Sequence, residues 1–128
     1  MYHTIGQTIE NGRLNGGGTY NIRFSSATRQ FEAERFDFTT GYMVSAAYGV
    51  ENLPGLMLTV DALNLFILTY ALDSLDCEFY LGLWQDEAGN WSIDRSRHIM
   101  DRGQAEYMGR VYGQRAIWDC ANNVSIDL

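Results

Sequence analysis

Four side chains in the C-terminal half of the sequence could together bind a negatively charged ligand. Arg95, Arg97, His98 and Arg102 lie close together in a chain that is otherwise acidic. Guanidinium groups bind phosphates and carboxylates through paired hydrogen bonds, and histidine exchanges a proton near neutral pH. If these residues share a loop, they predict a small-molecule or anion-binding domain, enzymatic or not. The alternative is that the arginines form ion pairs with neighbouring aspartates.

Other sequence patterns give no basis for a catalytic, cofactor or metal site. The run Gly16-Gly17-Gly18 lacks the lysine of a phosphate-binding loop and leads toward a strand, so it predicts a turn. His3 and His98 cannot form a metal site by themselves, and no G-x-S-x-G motif is present. We therefore predict neither a cofactor nor a metal, and enzymatic activity is not the leading hypothesis.

The charge of the chain favours a protein partner over nucleic acid. Sixteen acidic residues stand against nine basic ones, all of them arginine, and the net charge is −7 at pH 7. Direct nucleic-acid binding is disfavoured, because neutralisation of phosphates supplies most non-specific affinity. An acidic surface instead suits docking on a protein or complex with a basic surface.

Aromatic residues, which are enriched in protein interfaces, supply a second reason to expect a partner. They make up 13% of the sequence. Taken with the charge, they predict a partner-binding surface around a set of four acids and one tyrosine: Glu51, Tyr70, Asp73, Asp76 and Glu78. A further hypothesis is homodimer formation through a sheet edge at residues 116–121.

Length, cysteine content and hydropathy indicate a single cytoplasmic domain over residues 1–128. The two cysteines, Cys77 and Cys120, have no C-x-x-C pattern and are expected to be buried free thiols. Residues 1–18 are polar and glycine-rich, which predicts a strand over 4–10 and a flexible turn rather than a signal peptide. The most apolar stretch, residues 56–72, contains Asp61 and Asn64 and predicts a core helix, not a membrane span.

The alternation of apolar residues predicts an α+β fold, in which an antiparallel sheet of five to six strands carries two helices on one face. Thr59 and Asp101 are the predicted N-caps of the two helices, residues 60–75 and 102–112. Residues 49–55 and 95–100 are expected to form loops. The predicted strands cover residues 20–24, 41–48, 78–84, 91–94 and 116–121, to which residues 4–10 or 124–128 could add a short strand.

The C-terminal third resembles a short pattern found in small, uncharacterised phage and plasmid proteins. The pattern is carried by Leu81-Gly82-Leu83-Trp84, residues 86–90, Ile93-Asp94, Asp101-Arg102, Ala116-Ile117-Trp118-Asp119, Ala121-Asn122 and the segments 16–20 and 40–45. The resemblance implies an accessory protein of a mobile element, a class that includes inhibitors of host defence such as anti-CRISPR proteins. By analogy, it suggests a protein that binds and inhibits a macromolecular partner.

Overall fold

The computed structural model describes residues 1–46, 49–73 and 78–128, which form an antiparallel sheet and three α-helices. The α+β class and the antiparallel sheet are confirmed, whereas the predicted five to six strands and two helices are too few. The helices are α1 (Ile5–Asn15), α2 (Val60–Thr69) and α3 (Arg102–Val111). The nine strands are β1 (His3–Thr4), β2 (Gly17–Ser25), β3 (Gln30–Arg35), β4 (Tyr42–Ser45), β5 (Val50–Leu53), β6 (Phe79–Gln85), β7 (Trp91–Ile99), β8 (Ala116–Asp119) and β9 (Val124–Asp127).

The strand order in the sheet is β1-β3-β2-β6-β7-β4-β8-β9, and β5 pairs with β7. Both β4 and β5 lie along the side of β7 opposite β6, where β4 pairs with residues 96–99 and β5 pairs with Trp91 and Ile93. The predicted sheet edge at residues 116–121 is wrong, because β8 is an interior strand between β4 and β9.

The N-terminal segment is helical, so the predicted strand over 4–10 is wrong. Thr4 caps α1 by accepting a hydrogen bond from the Gln7 backbone, and the Gln7 side chain accepts one from the Thr4 backbone. This capping box satisfies two backbone donors that a helix end leaves unpaired. Ile5 and Ile9, one turn apart, are both buried. Gly16 ends the helix at φ 73°, a conformation that glycine adopts without steric cost.

All three helices pack on the same face of the sheet. The larger core cluster joins α1 and α2 to β2, β6 and β7, and includes Leu63, Leu81 and Ile93. A second cluster packs Ala105 of α3 with Ile99 of β7 and with β4 and β8. Ile93 and Ile99 are an even number of positions apart on one strand, so both side chains point to the same side. Among the described elements, no helix covers the opposite face, which we call the open face.

The structure corrects three further predictions and confirms the helix caps and the buried thiol of Cys120. Residues 95–99 belong to β7 rather than to a loop, because the alternation that starts at Trp91 continues to the buried Ile99. The predicted loop over 49–55 contains β5, and α2 ends at Thr69 rather than at 75. The N-caps at Thr59 and Asp101 are confirmed. Cys120 is a buried free thiol as predicted, whereas Cys77 lies outside the described residues.

None of the helices in the described part of the chain has the length and apolarity needed to span a membrane.

Two helical glycines are expected to respond oppositely to alanine. In α3, a Cβ at Gly109 would lie 2.6 Å from Leu128 Cδ1 and 2.9 Å from Ile117 Cγ2. Overpacking of this kind costs about 1–3 kcal/mol, more than the gain of up to about 1 kcal/mol in helix propensity. We expect Gly109→Ala to lower the free energy of unfolding by about 1–2 kcal/mol in urea titrations.

The matched control is Gly6→Ala in α1, where the added methyl group meets only Val60 Cγ2 at 3.8 Å and Thr4 Oγ1 at 3.9 Å. These are ordinary van der Waals distances, so only the propensity effect remains. Gly6→Ala should therefore stabilise the protein by about 0.5 kcal/mol. A stabilising Gly109→Ala would show that α3 does not pack closely on β8.

Candidate functional site

Two tryptophans project from the open face of the sheet. Trp84 on β6 and Trp118 on β8 expose 41% and 37% of their surface. Strand alternation places Gly82 on the same face as Trp84, and Asp94 lies opposite Gly82 in the β6–β7 pairing. Large aromatic side chains on a sheet face without covering helices are typical of an interaction surface.

A groove lies on this face where the pairing of β4 with β8 ends. Their pairing joins Tyr42 to Asp119 and Met43 to Trp118, and does not extend to Ser45. The space that opens beyond this pairing has a volume of about 340 Å³ and is lined by both tryptophans together with Ser45, Asp94 and Ser96. We call it the Trp84–Trp118 groove. Its walls are mainly apolar, and its polar groups are one carboxyl and a few hydroxyls.

Asp94 is the acidic residue of the groove, and its surroundings make ionisation costly. Burial raises the pKa of the Asp94 carboxyl to about 6, and the negative charge of Glu51 contributes to the rise. A hydrogen bond with Ser45 acts in the opposite direction by favouring the charged form. A Cβ at Gly49 would lie only 2.9 Å from Asp94 Oδ1, so glycine at this position allows its backbone to lie close to the carboxyl.

A row of aromatic rings occupies another part of the open face. Phe38, which follows β3, stacks on the imidazole of His98 with 3.8 Å between ring centroids. Phe38 also contacts Tyr80 edge to face at 5.2 Å, and Phe36 packs against both of these rings. His98 Nε2 lies 2.7 Å from the backbone oxygen of Thr40. These contacts fix His98 as part of the packing between the segment after β3 and the sheet.

The four residues of the predicted anion site are not brought together. Alternation along β7 places Arg95 and Arg97 on the helix-bearing face and His98 on the open face. The guanidinium of Arg95 lies over the rings of Phe79 and Tyr70, whereas that of Arg97 forms a 2.9 Å ion pair with Glu78. Arg102 is on α3, paired with Glu106 at 2.9 Å. The arrangement presents no shared binding point for a phosphate.

The predicted partner-binding residues are also dispersed over the structure. Glu51 is exposed on β5 and acts electrostatically on Asp94, which places it beside the Trp84–Trp118 groove. Tyr70 follows α2 and packs against Phe66, and Asp73 is half-buried in the same turn. Glu78 is exposed next to Arg97. Asp76 lies outside the described residues.

Sequence reasoning did not select Ser45, Asp94, Ser96 or Trp118 as site residues. A usable signal was present in β7, where Ser92, Asp94 and Ser96 alternate with buried or half-buried neighbours. Such an alternation predicts a polar sheet face. The contribution of β8 could not be found in this way, because it depends on the strand order.

The chain was compared with known protein families, curated proteins and solved structures, and none of the three comparisons gave a match.

The raised pKa of Asp94 predicts a specific pH dependence of stability. The folded state holds this proton more tightly than the unfolded state does, so the native protein is favoured at low pH. That advantage is complete below the unfolded pKa near 4 and is lost as pH rises through about 6. Asp94→Asn should raise the free energy of unfolding at pH 7 by about 1–3 kcal/mol relative to wild type.

The measurement is the difference in free energy of unfolding between Asp94→Asn and wild type, from urea titrations at several pH values. Because the other acids are the same in both proteins, this difference reports the Asp94 carboxyl alone. The difference should shrink toward zero between pH 7 and about pH 4. A difference that does not change with pH would mean that Asp94 has an ordinary pKa and is well solvated.

Proposed function

We propose that this protein is a small binding protein whose open sheet face docks on a basic surface of a protein partner. The observation that carries the proposal is the Trp84–Trp118 groove, in which two exposed indole rings flank a recessed carboxyl. Tryptophan is among the residue types that dominate binding energy in interfaces, and acidic groups provide attraction toward a basic partner. The net charge of −7 acts in the same direction over longer distances.

The sequence resemblance extends this proposal to a biological role. A protein that covers a functional surface of a larger complex inhibits it without catalysing a reaction. We therefore propose an accessory protein of a mobile element that inhibits a host complex, in the manner of anti-defence proteins. The anion-binding hypothesis is not carried further, because its four residues lie on different faces and elements.

The proposal is tested by capturing partners from a host lysate with immobilised protein. Wild type should retain a stoichiometric partner, and the double variant Trp84→Ala/Trp118→Ala should lose most of it, since truncation of a central aromatic in an interface commonly costs about 2 kcal/mol or more. Tyr107→Ala is the matched control, because Tyr107 is a 66% exposed aromatic on α3, away from the groove.

Retention of the partner by the Tyr107 variant and its loss from the double variant would support the open face as the interface. Equal capture by wild type and the double variant would contradict it. The absence of any stoichiometric partner in lysates of the host would contradict the binding function itself.

A further inference from the structure

We propose that the Trp84–Trp118 groove binds a guanidinium group, presented by an arginine side chain of the protein partner. This inference rests on the proposed function and adds the chemical group that is recognised. The inference is based on one small cavity that is lined by a recessed carboxyl, two indole rings and several hydroxyls.

Gly82 allows the indole of Trp84 to lie close to Asp94 and Ser96. A Cβ built at this position would be 3.0 Å from Trp84 Nε1, 3.4 Å from Asp94 Cβ and 3.5 Å from Ser96 Oγ. Because Gly82 has no side chain, the indole of Trp84 can lie close to the backbone of β6, beside the Asp94 side chain and the Ser96 hydroxyl. A group entering the groove would lie within reach of polar atoms on neighbouring strands, because Trp84, Asp94 and Ser96 all line it.

The negative charge of the groove favours a cation as the ligand. Among the described residues that line it, none is basic, and the additional negative charge of Glu51 acts on Asp94. Arg35 lines an adjoining depression, but its guanidinium is paired with Asp37 at 2.8 Å. A half-buried carboxylate without a counter-charge is unfavourable, and an incoming cation removes this cost. A phosphate would be repelled, and a neutral ligand would leave the carboxylate uncompensated.

The shape and lining of the groove favour guanidinium over ammonium. Guanidinium is planar, stacks on aromatic faces and forms paired hydrogen bonds with a carboxylate. It is also less strongly hydrated than ammonium, so entry between apolar indole walls costs less free energy. The volume of about 340 Å³ is at the lower end for ligand pockets, which suits one side chain rather than a large ligand.

The test uses the whole protein and N-acetyl-arginine amide as the probe, with N-acetyl-citrulline amide as its uncharged analogue. The indole N–H signals of the three tryptophans are followed by NMR and assigned with single variants. We expect saturable shifts of the Trp84 and Trp118 signals with a Kd on the order of 1 mM and no shift of buried Trp91. The citrulline compound should bind at least about tenfold more weakly.

Asp94→Asn should weaken binding of the arginine probe by at least about tenfold while leaving the NMR spectrum of the fold intact. The matched control is Glu87→Gln, which removes the same charge from the exposed hairpin between β6 and β7. This variant should bind the probe as wild type does. If both variants lost affinity for the probe equally, the effect would be general charge attraction, and the proposed site would be wrong.

The inference is overturned if about 20 mM probe shifts neither groove tryptophan, since a millimolar site would then be nearly saturated. Equal binding of the arginine and citrulline compounds would also overturn it. If either result occurs while partner capture still depends on Trp84 and Trp118, the guanidinium site fails and the proposed function stands. If capture also proves independent of these residues, both fail.

Discussion

Replacing Gly17 with alanine is expected to destabilise the protein by about 3 kcal/mol or more. Gly17 begins β2 at φ 142°, a conformation open to glycine and strained for any other residue. A Cβ there would clash with the backbone oxygen of Leu83 and would lie 2.8 Å from Trp84 Cε3. Backbone strain and overpacking each cost about 1–3 kcal/mol, and here they act together.

The control for this prediction is the preceding residue. Gly16 also has positive φ, at 73°, but a Cβ on it would have no neighbour within 4 Å. Gly16→Ala therefore isolates the backbone strain, which is about 1–2 kcal/mol in the left-handed region. Urea titrations followed by circular dichroism should rank wild type, Gly16→Ala and Gly17→Ala in order of decreasing stability. Similar losses in both variants would mean that β2 and β6 are not in close contact at Gly17.

The parts of the fold that sequence analysis predicted correctly are those specified by local chemistry. The caps of α2 and α3 depend on Thr59 and Asp101, which bond to backbone groups three residues away. The β6–β7 hairpin follows from apolar alternation on both sides of a short polar loop. Each of these features can be found within a window of about ten residues.

The missed helix α1 shows where such reasoning was incomplete. Its segment is polar and contains Gly6 and Gly12, which lower helix propensity and suggested a strand and turn. The local signal for a helix was nevertheless present in Thr4 and Gln7, which form the capping box. Gly12 is buried in α1 because the ring of Trp91 packs 3.6 Å from the position of its absent Cβ. Tertiary packing therefore overrides the unfavourable propensity.

The candidate site could not be predicted as a unit, because its residues come from strands that are distant in sequence. Ser45, Asp94 and Trp118 meet only because β4 inserts between β7 and β8. The acidic character and the surplus of aromatic residues are visible in the sequence. Of the predicted partner-binding residues, Glu51 lies beside the groove. The sequence did not show that the β4–β8 pairing stops after Met43, which is where the groove lies.

Trp91 and Trp84 are expected to differ in their roles, since Trp91 is part of the core and Trp84 belongs to the proposed binding surface. Trp91 on β7 is 1% exposed and packs in the core shared by α1, α2 and the sheet. Trp91→Ala should lower the free energy of unfolding by about 3–5 kcal/mol, a large part of the roughly 5–15 kcal/mol typical of a domain. The measurement is a urea titration followed by far-ultraviolet circular dichroism, which does not depend on tryptophan fluorescence.

Trp84→Ala is the matched substitution on the open face, and it should change stability by no more than about 1 kcal/mol. Its expected effect is weaker binding of the proposed partner, because the exposed indole forms one wall of the Trp84–Trp118 groove. If Trp91→Ala does not fold, Trp91→Phe keeps the comparison measurable, since it retains a ring and should cost less. A larger stability loss for Trp84→Ala than for Trp91→Phe would mean that Trp84 is a core residue, which would contradict the proposal that the open face is an interface.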